Sequence, residues 1–533
     1  MSKKSFMKGA VILGSAGVVV KVLGAFFRIP LANIIGDTGM GYYQTAYPVY
    51  VLLLAISTAG IPTAIARLVS EKTAEENHKE AFRIFRLSIG LLAGIGLLTC
   101  LILLLGAPFF AGFSSDQAVY AIRAISPALL MISMMAAFRG YFQGLQDMMP
   151  TAVSQITEQF FRVVSGLALA VAFVPYGLQY AAAGASFGAA VGGFFGLLVI
   201  LIIFLQRRKS LMEAVEGTSP ELPREPSLSI MKKIAVIAVP ITIGVSVMPV
   251  MNMLDLLIVP SRLVSAGFSA QAANSLYGQL SGFAASLINL PQILTQSIAL
   301  SLVPAVAAAH QVHDAVTLRR ETETGLRMAM IIGFPCAAGL FVLAEPVMLL
   351  LFPAQKESAV SAAGILAVLA VGVVFLSSVQ TLTGILQGVG KQMVPVVNLA
   401  IGAVFKVILT YFLTGLPAVN IRGAAVGTVS AYLVASVLNL KAVCRHTGAE
   451  FSFTLTFLKP GVASLVMGVA AGLVYKVVAP AAGNAAGSGA AVLAGMAVYV
   501  ILVFALRIIT QEELKRLPGG NRLLRCIRRN GKL

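Results

Sequence analysis

Runs of about 20 apolar residues, the length that carries a helix across roughly 30 Å of hydrocarbon, recur at fourteen places along the chain with polar stretches between them. They cover residues 9–30, 45–66, 87–110, 120–142, 151–174, 181–205, 234–260, 275–303, 326–352, 361–386, 395–416, 423–443, 456–479 and 486–508. This pattern predicts an all-α polytopic membrane protein with 14 transmembrane helices. Composition agrees, because 58% of the 533 residues are hydrophobic and only 11% are charged, against about 25% charged in an ordinary soluble domain. The first run lacks a small-residue cleavage site and is followed by many others, so it is expected to stay as a membrane helix rather than to be removed as a signal peptide.

Charge placement orients these helices. With the N-terminus inside, most of the 39 Lys and Arg fall in cytoplasmic segments, and the external loops hold only Arg262, Lys356 and Arg422. By the positive-inside rule both termini are expected in the cytoplasm. The net charge of +18 then reflects topology, and no nucleic-acid partner is implied. The basic tail LKRLPGGNRLLRCIRRNGK reads as an interfacial helix on anionic lipid.

A repeat at about 240 residues organises the chain. GYFQGLQDMMP at 140–150 answers GILQGVGKQMVP at 384–395, and Phe161 and Arg162 answer Phe405 and Lys406. AAAGASFG at 181–188 answers NIRGAAVG at 420–427, and PTAIA at 62–66 answers PAVAA at 304–308. Six helices per half make the two lobes a parallel repeat, and transporters place substrate between such lobes. The predicted organisation is an N-terminal lobe at 1–205, a cytoplasmic linker at 206–229, a C-terminal lobe at 230–445, two further helices at 446–510, and a basic tail at 511–533. Breaks are expected at AGIP (59–62), LINLP (287–291) and GFPCAAG (333–339), as bending points or ordinary kinks.

Charged residues inside apolar runs are costly, so they mark candidate sites. Lys21 and Arg28 lie seven residues apart, two turns or about 10 Å along a helix. Gly14, Gly17 and Gly24 share their stripe, leaving one face of glycine and cation that could draw an anion into a low-dielectric cleft. Against this, Arg28 could snorkel to headgroups while Lys21 pairs with an acid. Glu158 and Arg162 stand at i, i+4 and could neutralise each other, but the repeat keeps a cation at Lys406 and has Gly402 in place of the acid. Arg162 and Lys406 are therefore candidate cavity cations. Asp255 could meet Arg28 or, like Glu158, take a coupling proton or Na⁺.

Other chemistry is poorly supported. The cysteines Cys100, Cys336, Cys444 and Cys526 are scattered, and no histidine sits in an apolar run, so neither a disulfide framework nor a metal site is suggested. His310, His313 and Asp314 share a polar loop but make a weak metal pattern. No cluster of Asp, Glu or His suits an enzyme, so no catalytic residue and no cofactor beyond a coupling H⁺ or Na⁺ is expected.

FRGYFQGLQDMMPTAVSQITEQFFRV at 138–163, SLYGQLSGFAASLINLP at 275–291 and the two-lobed layout resemble the stage V sporulation protein B group of the multidrug/oligosaccharidyl-lipid/polysaccharide exporter superfamily, over essentially the whole chain. The related lipid II flippases have fourteen helices, a central cationic cavity, and a groove by helices 13 and 14 for an isoprenoid tail. KVLG at 21–24 resembles their first helix with Lys21 in place of arginine, and Arg28 matches their second cavity arginine with one residue inserted. PVYVLLLAI at 48–56 and SGFAASLINLP at 281–291 contain no cation where those flippases have one, so Arg162 and Lys406 are expected to supply charge instead. The resemblance implies a flippase for a lipid-linked sugar diphosphate in cell-wall synthesis or sporulation, with membrane lipids and cell-wall synthesis proteins as further partners. Alternatives are a proton- or Na⁺-coupled drug antiporter and a non-transporting scaffold.

Overall fold

The computed structural model describes residues 3–218 and 225–508, with side chains from residue 12 onward. The basic tail at 511–533 and the middle of the linker lie outside the described residues. The described chain is helical, with no strand among the described residues. The helices are α1 Lys3–Thr58, α2 Ile61–Ala74, α3 His78–Leu105, α4 Ala107–Ala111, α5 Val119–Ile125, α6 Pro127–Gly144, α7 Met149–Phe173 and α8 Leu178–Glu216. They continue as α9 Ser227–Ser265, α10 Ala270–Gly278, α11 Ala285–Gln311, α12 Ala315–Val342, α13 Ala344–Leu351, α14 Lys356–Gly388, α15 Met393–Thr414, α16 Arg422–Thr447 and α17 Lys459–Ala505.

Among the described residues, twelve helical stretches are long and apolar enough to cross a membrane, including Ile12–Ala74 with 63 residues and Thr454–Ala505 with 52. Each of these two holds a pair of the apolar runs read from sequence, which is how fourteen runs map onto twelve stretches. α1 is interrupted at Gly36, where φ is 66° and ψ −173°, and α17 at Gly483, with φ 81° and ψ 169°. Only glycine takes such angles without strain from a Cβ. Of the expected breaks, AGIP ends α1 and starts α2 around Gly60, whereas helix continues through Pro291 in α11 and Pro335 in α12.

Large apolar side chains such as Phe26, Leu105, Leu465 and Val477 stand exposed. That is the expected outer surface of a membrane protein, since lipid tails are as apolar as leucine and burial between helices brings no hydrophobic gain. Association depends instead on close packing, and small residues supply it. Along α8, Gly184, Gly188 and Gly192 face α7, and a methyl group added at Gly188 would lie 2.7 Å from the Arg162 carbonyl oxygen. The same contact recurs between α15 and α16, where a methyl at Gly427 would lie 3.0 Å from the carbonyl oxygen of Lys406. One position earlier in the ladder the glycine changes sides: Gly192 abuts the Glu158 carbonyl, and Gly402 abuts that of Ala431. The sequence repeat that pairs Glu158 with Gly402 and Arg162 with Lys406 is thus reproduced in backbone packing.

A second contact is also made twice. Gly140 and Gly144 of α6 rest on Pro62, Ile65 and Val69 of α2, as Gly384 and Gly388 of α14 rest on Ala299 and Val306 of α11. Matching these contacts shifts the correspondence read from PTAIA and PAVAA by several residues.

By packing the chain divides into two compact units. One comprises the described residues to Ile293 with Phe352–Ile365 and Leu399–Ala431, and the other Leu294–Leu351, Leu366–Asn398 and the described residues from Tyr432. In the second unit Leu326, Met330, Leu382 and Leu386 centre one apolar cluster, and Met467 of α17 packs with Tyr499 and Val503 in another.

Candidate functional site

All six charged residues singled out from the sequence fall in the first unit. α1 bends at Gly36, so its second half runs back as a separate segment carrying Tyr43, Tyr47 and Tyr50 on one helical stripe. Tyr43 and Tyr47 are stacked with centroids 5.8 Å apart, and Tyr47 and Tyr50 follow at 6.1 Å. The Arg28 guanidinium carbon lies 5.5 Å from the Tyr47 centroid, and that of Arg162 lies 5.4 Å from the same ring. Two cations distant in sequence are therefore gathered on one tyrosine. Neither forms an ion pair among the described residues.

The acids take other partners. Glu158 does not neutralise Arg162; its Oε2 accepts from Arg139 Nη2 at 2.9 Å, and Arg139 Nε donates to Ser154 Oγ at 2.9 Å. At i, i+4 the two side chains share a helix face, but Arg162 turns toward the tyrosines while Arg139 of α6 approaches Glu158 across the helix contact. Asp255 likewise does not meet Arg28. Its Oδ2 accepts from Lys406 Nζ at 2.6 Å, and the two side chains are 18% and 6% exposed. Lys406, expected as an open cation beside Arg162, is thus a buried ion-pair partner, because α9 brings a carboxylate to α15 that the first lobe lacks at the matching place. Lys21 stays exposed on the stripe it shares with Arg28, and methyl groups at Gly14 and Gly17 would meet nothing within 4 Å.

Three participants escaped the sequence reading. Arg139 lies in the apolar run 120–142, in the motif FRGYFQG, but is not among the charges the sequence marks as candidates. Tyr47 was passed over, although the i, i+4, i+7 spacing of Tyr43, Tyr47 and Tyr50 marks one helix face. Asp37, just past the Gly36 break, accepts hydrogen bonds from Gln279 Nε2 at 2.9 Å and Ser358 Oγ at 2.8 Å, and from Ser275. Nearby, Asn274 Nδ2 donates to the Thr38 carbonyl at 3.0 Å. These bonds join the turn of α1 to α10 and to the start of α14.

A charged clamp lies where the linker enters α9. Glu225 accepts from Lys233 at 2.5 Å and pairs with Lys72 at 3.3 Å. Arg83 donates to the Glu225 carbonyl and, at 2.7 Å, to Ser227 Oγ, while Glu80 accepts from the Glu225 amide at 3.2 Å. The hydrogen bond from Lys233, helped by that from Lys72, holds the Glu225 carboxyl below its ordinary pKa despite some burial. A carboxylate with a depressed value stabilises the folded clamp above its unfolded pKa, and that contribution is lost as pH falls through the lowered value. Spin labels at positions 79 and 229 are therefore expected to give a narrow distance distribution at neutral pH that broadens below about pH 4. Glu225→Gln should be broad at both; an unchanged distribution in that variant would show that the clamp does not depend on charge.

The polysaccharide biosynthesis protein family matches residues 6–310, more than half of the chain. The chain belongs to that family. MatE matches residues 240–412. Among relatives, stage V sporulation protein B of Bacillus subtilis (strain 168) is 28% identical over 98% of this chain and 100% of its own length. The membrane protein YabM of the same organism is 30% identical over 98% of this chain and 96% of its own, and its lipid II flippase MurJ 27% over 90% and 89%. The fold resembles a solved lipid II flippase MurJ in an inward closed conformation, with TM-score 0.70 and 16% identity over 93% of this chain and 99% of that one. An inward-facing multidrug resistance MATE transporter follows at TM-score 0.67 and 14% identity, covering 81% of this chain and 94% of that one. The protein is a multi-pass membrane transporter of the multidrug/oligosaccharidyl-lipid/polysaccharide superfamily and not an enzyme.

Proposed function

We propose that the protein is a flippase for lipid-linked oligosaccharide diphosphates, with a lipid II-type peptidoglycan precursor as cargo, working by alternating access. The observation that carries this reading is the pair of guanidiniums on Tyr47, which have no carboxylate partner among the described residues. Arginine is suited to oxyanions because its planar fork makes two parallel charge-assisted hydrogen bonds. Lys21, two turns along the same face, adds positive potential on the route to the pair. The lipid tail stays in the bilayer.

In this reading both termini are cytoplasmic, so the cargo's negative charges move toward the positive side of the membrane. Each charge then gains about 2.3 kcal/mol per 100 mV, which supplies a driving force without a coupling ion. The relatives named for lipid II and for sporulation support the cargo class. A coupled drug antiporter would use an intramembrane acid for its ion, but Glu158 is bound to Arg139 and Asp255 to Lys406. A scaffold that recruits cell-wall proteins would need neither arginine.

The test is translocation of lipid-linked precursor in proteoliposomes under an imposed potential, inside negative. Export that rises with the potential and is absent from empty vesicles is the expected result. Exchange of organic cations for H⁺ or Na⁺, with no movement of precursor, would replace the flippase by the antiporter.

A further inference from the structure

Tyr47 has no role in the reading above beyond proximity, yet the geometry gives it one. Its ring lies 5.5 Å from the guanidinium carbon of Arg28 and 5.4 Å from that of Arg162. Two like charges gathered in a region of low dielectric repel one another, so something must hold them. The π-face of tyrosine attracts cations within about 6 Å, and both guanidiniums lie inside that range. Tyr43, stacked on Tyr47 at an interplanar angle of 19°, fixes the ring from one side, and Tyr50 follows one turn later. Tyr50 is 1% exposed, and its hydroxyl has no hydrogen-bond partner. Buried polar groups normally have partners; an unmet donor next to the Tyr47 ring is suited to an oxyanion that arrives there.

Resting on the flippase reading, we infer that Tyr47 is a positioning residue that holds Arg28 and Arg162 as one two-pronged clamp selective for a diphosphate over a monophosphate. Each guanidinium fork matches one phosphoryl group. Held to a common ring, the two forks are presented together, so the order a diphosphate would otherwise impose is already in place. A monophosphate engages one fork well and gains little from the second. The face of the Tyr47 ring keeps the two cations in register.

The experiment uses the full chain in nanodiscs, with undecaprenyl diphosphate and undecaprenyl monophosphate as probes, read by native mass spectrometry. The wild type is expected to prefer the diphosphate by at least about tenfold, which corresponds to about 1.4 kcal/mol. Tyr47→Leu, which removes the ring face, should bring that preference to near unity, with the melting temperature as a separate readout. Tyr47→Phe keeps the face and should retain most of the preference, as should Tyr47→Trp, so the idea stays testable if the leucine variant does not fold. Full preference in a folded Tyr47→Leu, or its loss in Tyr47→Phe to the level of Arg28→Ala, would overturn the assignment and leave the flippase reading standing. A wild type that binds neither lipid would overturn both.

Discussion

Replacing Arg28 or Arg162 by alanine is expected to reduce precursor translocation by about 100-fold or more. A hydrogen bond to a charged group contributes about 1.5–3 kcal/mol, and a fork loses two of them when truncated, so a loss of about 3–4 kcal/mol is the natural scale. Lysine at either position keeps the charge but presents a point rather than a fork, and should lose roughly tenfold. Because both arginines share Tyr47, the double alanine variant should fall short of the product of the single losses; neighbours with a common partner are not additive. The check is initial rates of precursor flipping in proteoliposomes, normalised to reconstituted protein. Wild-type rates in both single alanine variants would remove the anion site while leaving translocation itself in place.

Lys406→Ala should destabilise the folded protein by about 3–5 kcal/mol, the usual cost of stranding one member of a buried ion pair. The pair is 2.6 Å long and joins α15 to α9 across 151 residues of sequence, so removing the ammonium leaves the Asp255 carboxylate without its partner. The double variant Asp255→Asn/Lys406→Met removes both charges and should recover most of the loss, since apolar replacement of a whole buried pair is often neutral. Thermal unfolding in nanodiscs measures the stability. Transport by the double variant then separates two roles for Lys406. If it is a structural partner, as its pairing indicates, the double variant folds and still moves precursor. If it grips cargo, the variant folds and does not.

These two expectations differ because the repeat has diverged at matching positions. Arg162 and Lys406 stand at the same place in the α7/α8 and α15/α16 contacts, each with its carbonyl oxygen under a glycine. The first lobe provides an acid at Glu158 and a competing arginine at Arg139, which together leave Arg162 to the tyrosines. The second has Gly402 instead of the acid and takes Asp255 from another helix.

The sequence by itself determined the class of protein, its apolar segments, the repeat, and the fact that a few cations lie where they are costly. Those features depend on local properties: the length of an apolar run, glycine at a fixed spacing, and the cost of charge in hydrocarbon. It also placed the break at AGIP, where glycine and proline interrupt the helix, but not the uninterrupted course of α11 and α12 through Pro291 and Pro335, which the neighbouring helices decide. Partnership was decided only by the tertiary structure. The i, i+4 spacing of Glu158 and Arg162 made a pair conceivable, but several groups could reach each charge once helices packed. Coulomb attraction and hydrogen bonding depend on separations of a few ångströms, and glycine contacts between helices set those separations. Hence Arg139 took Glu158, Lys406 took Asp255, and Tyr47 was left holding the two arginines.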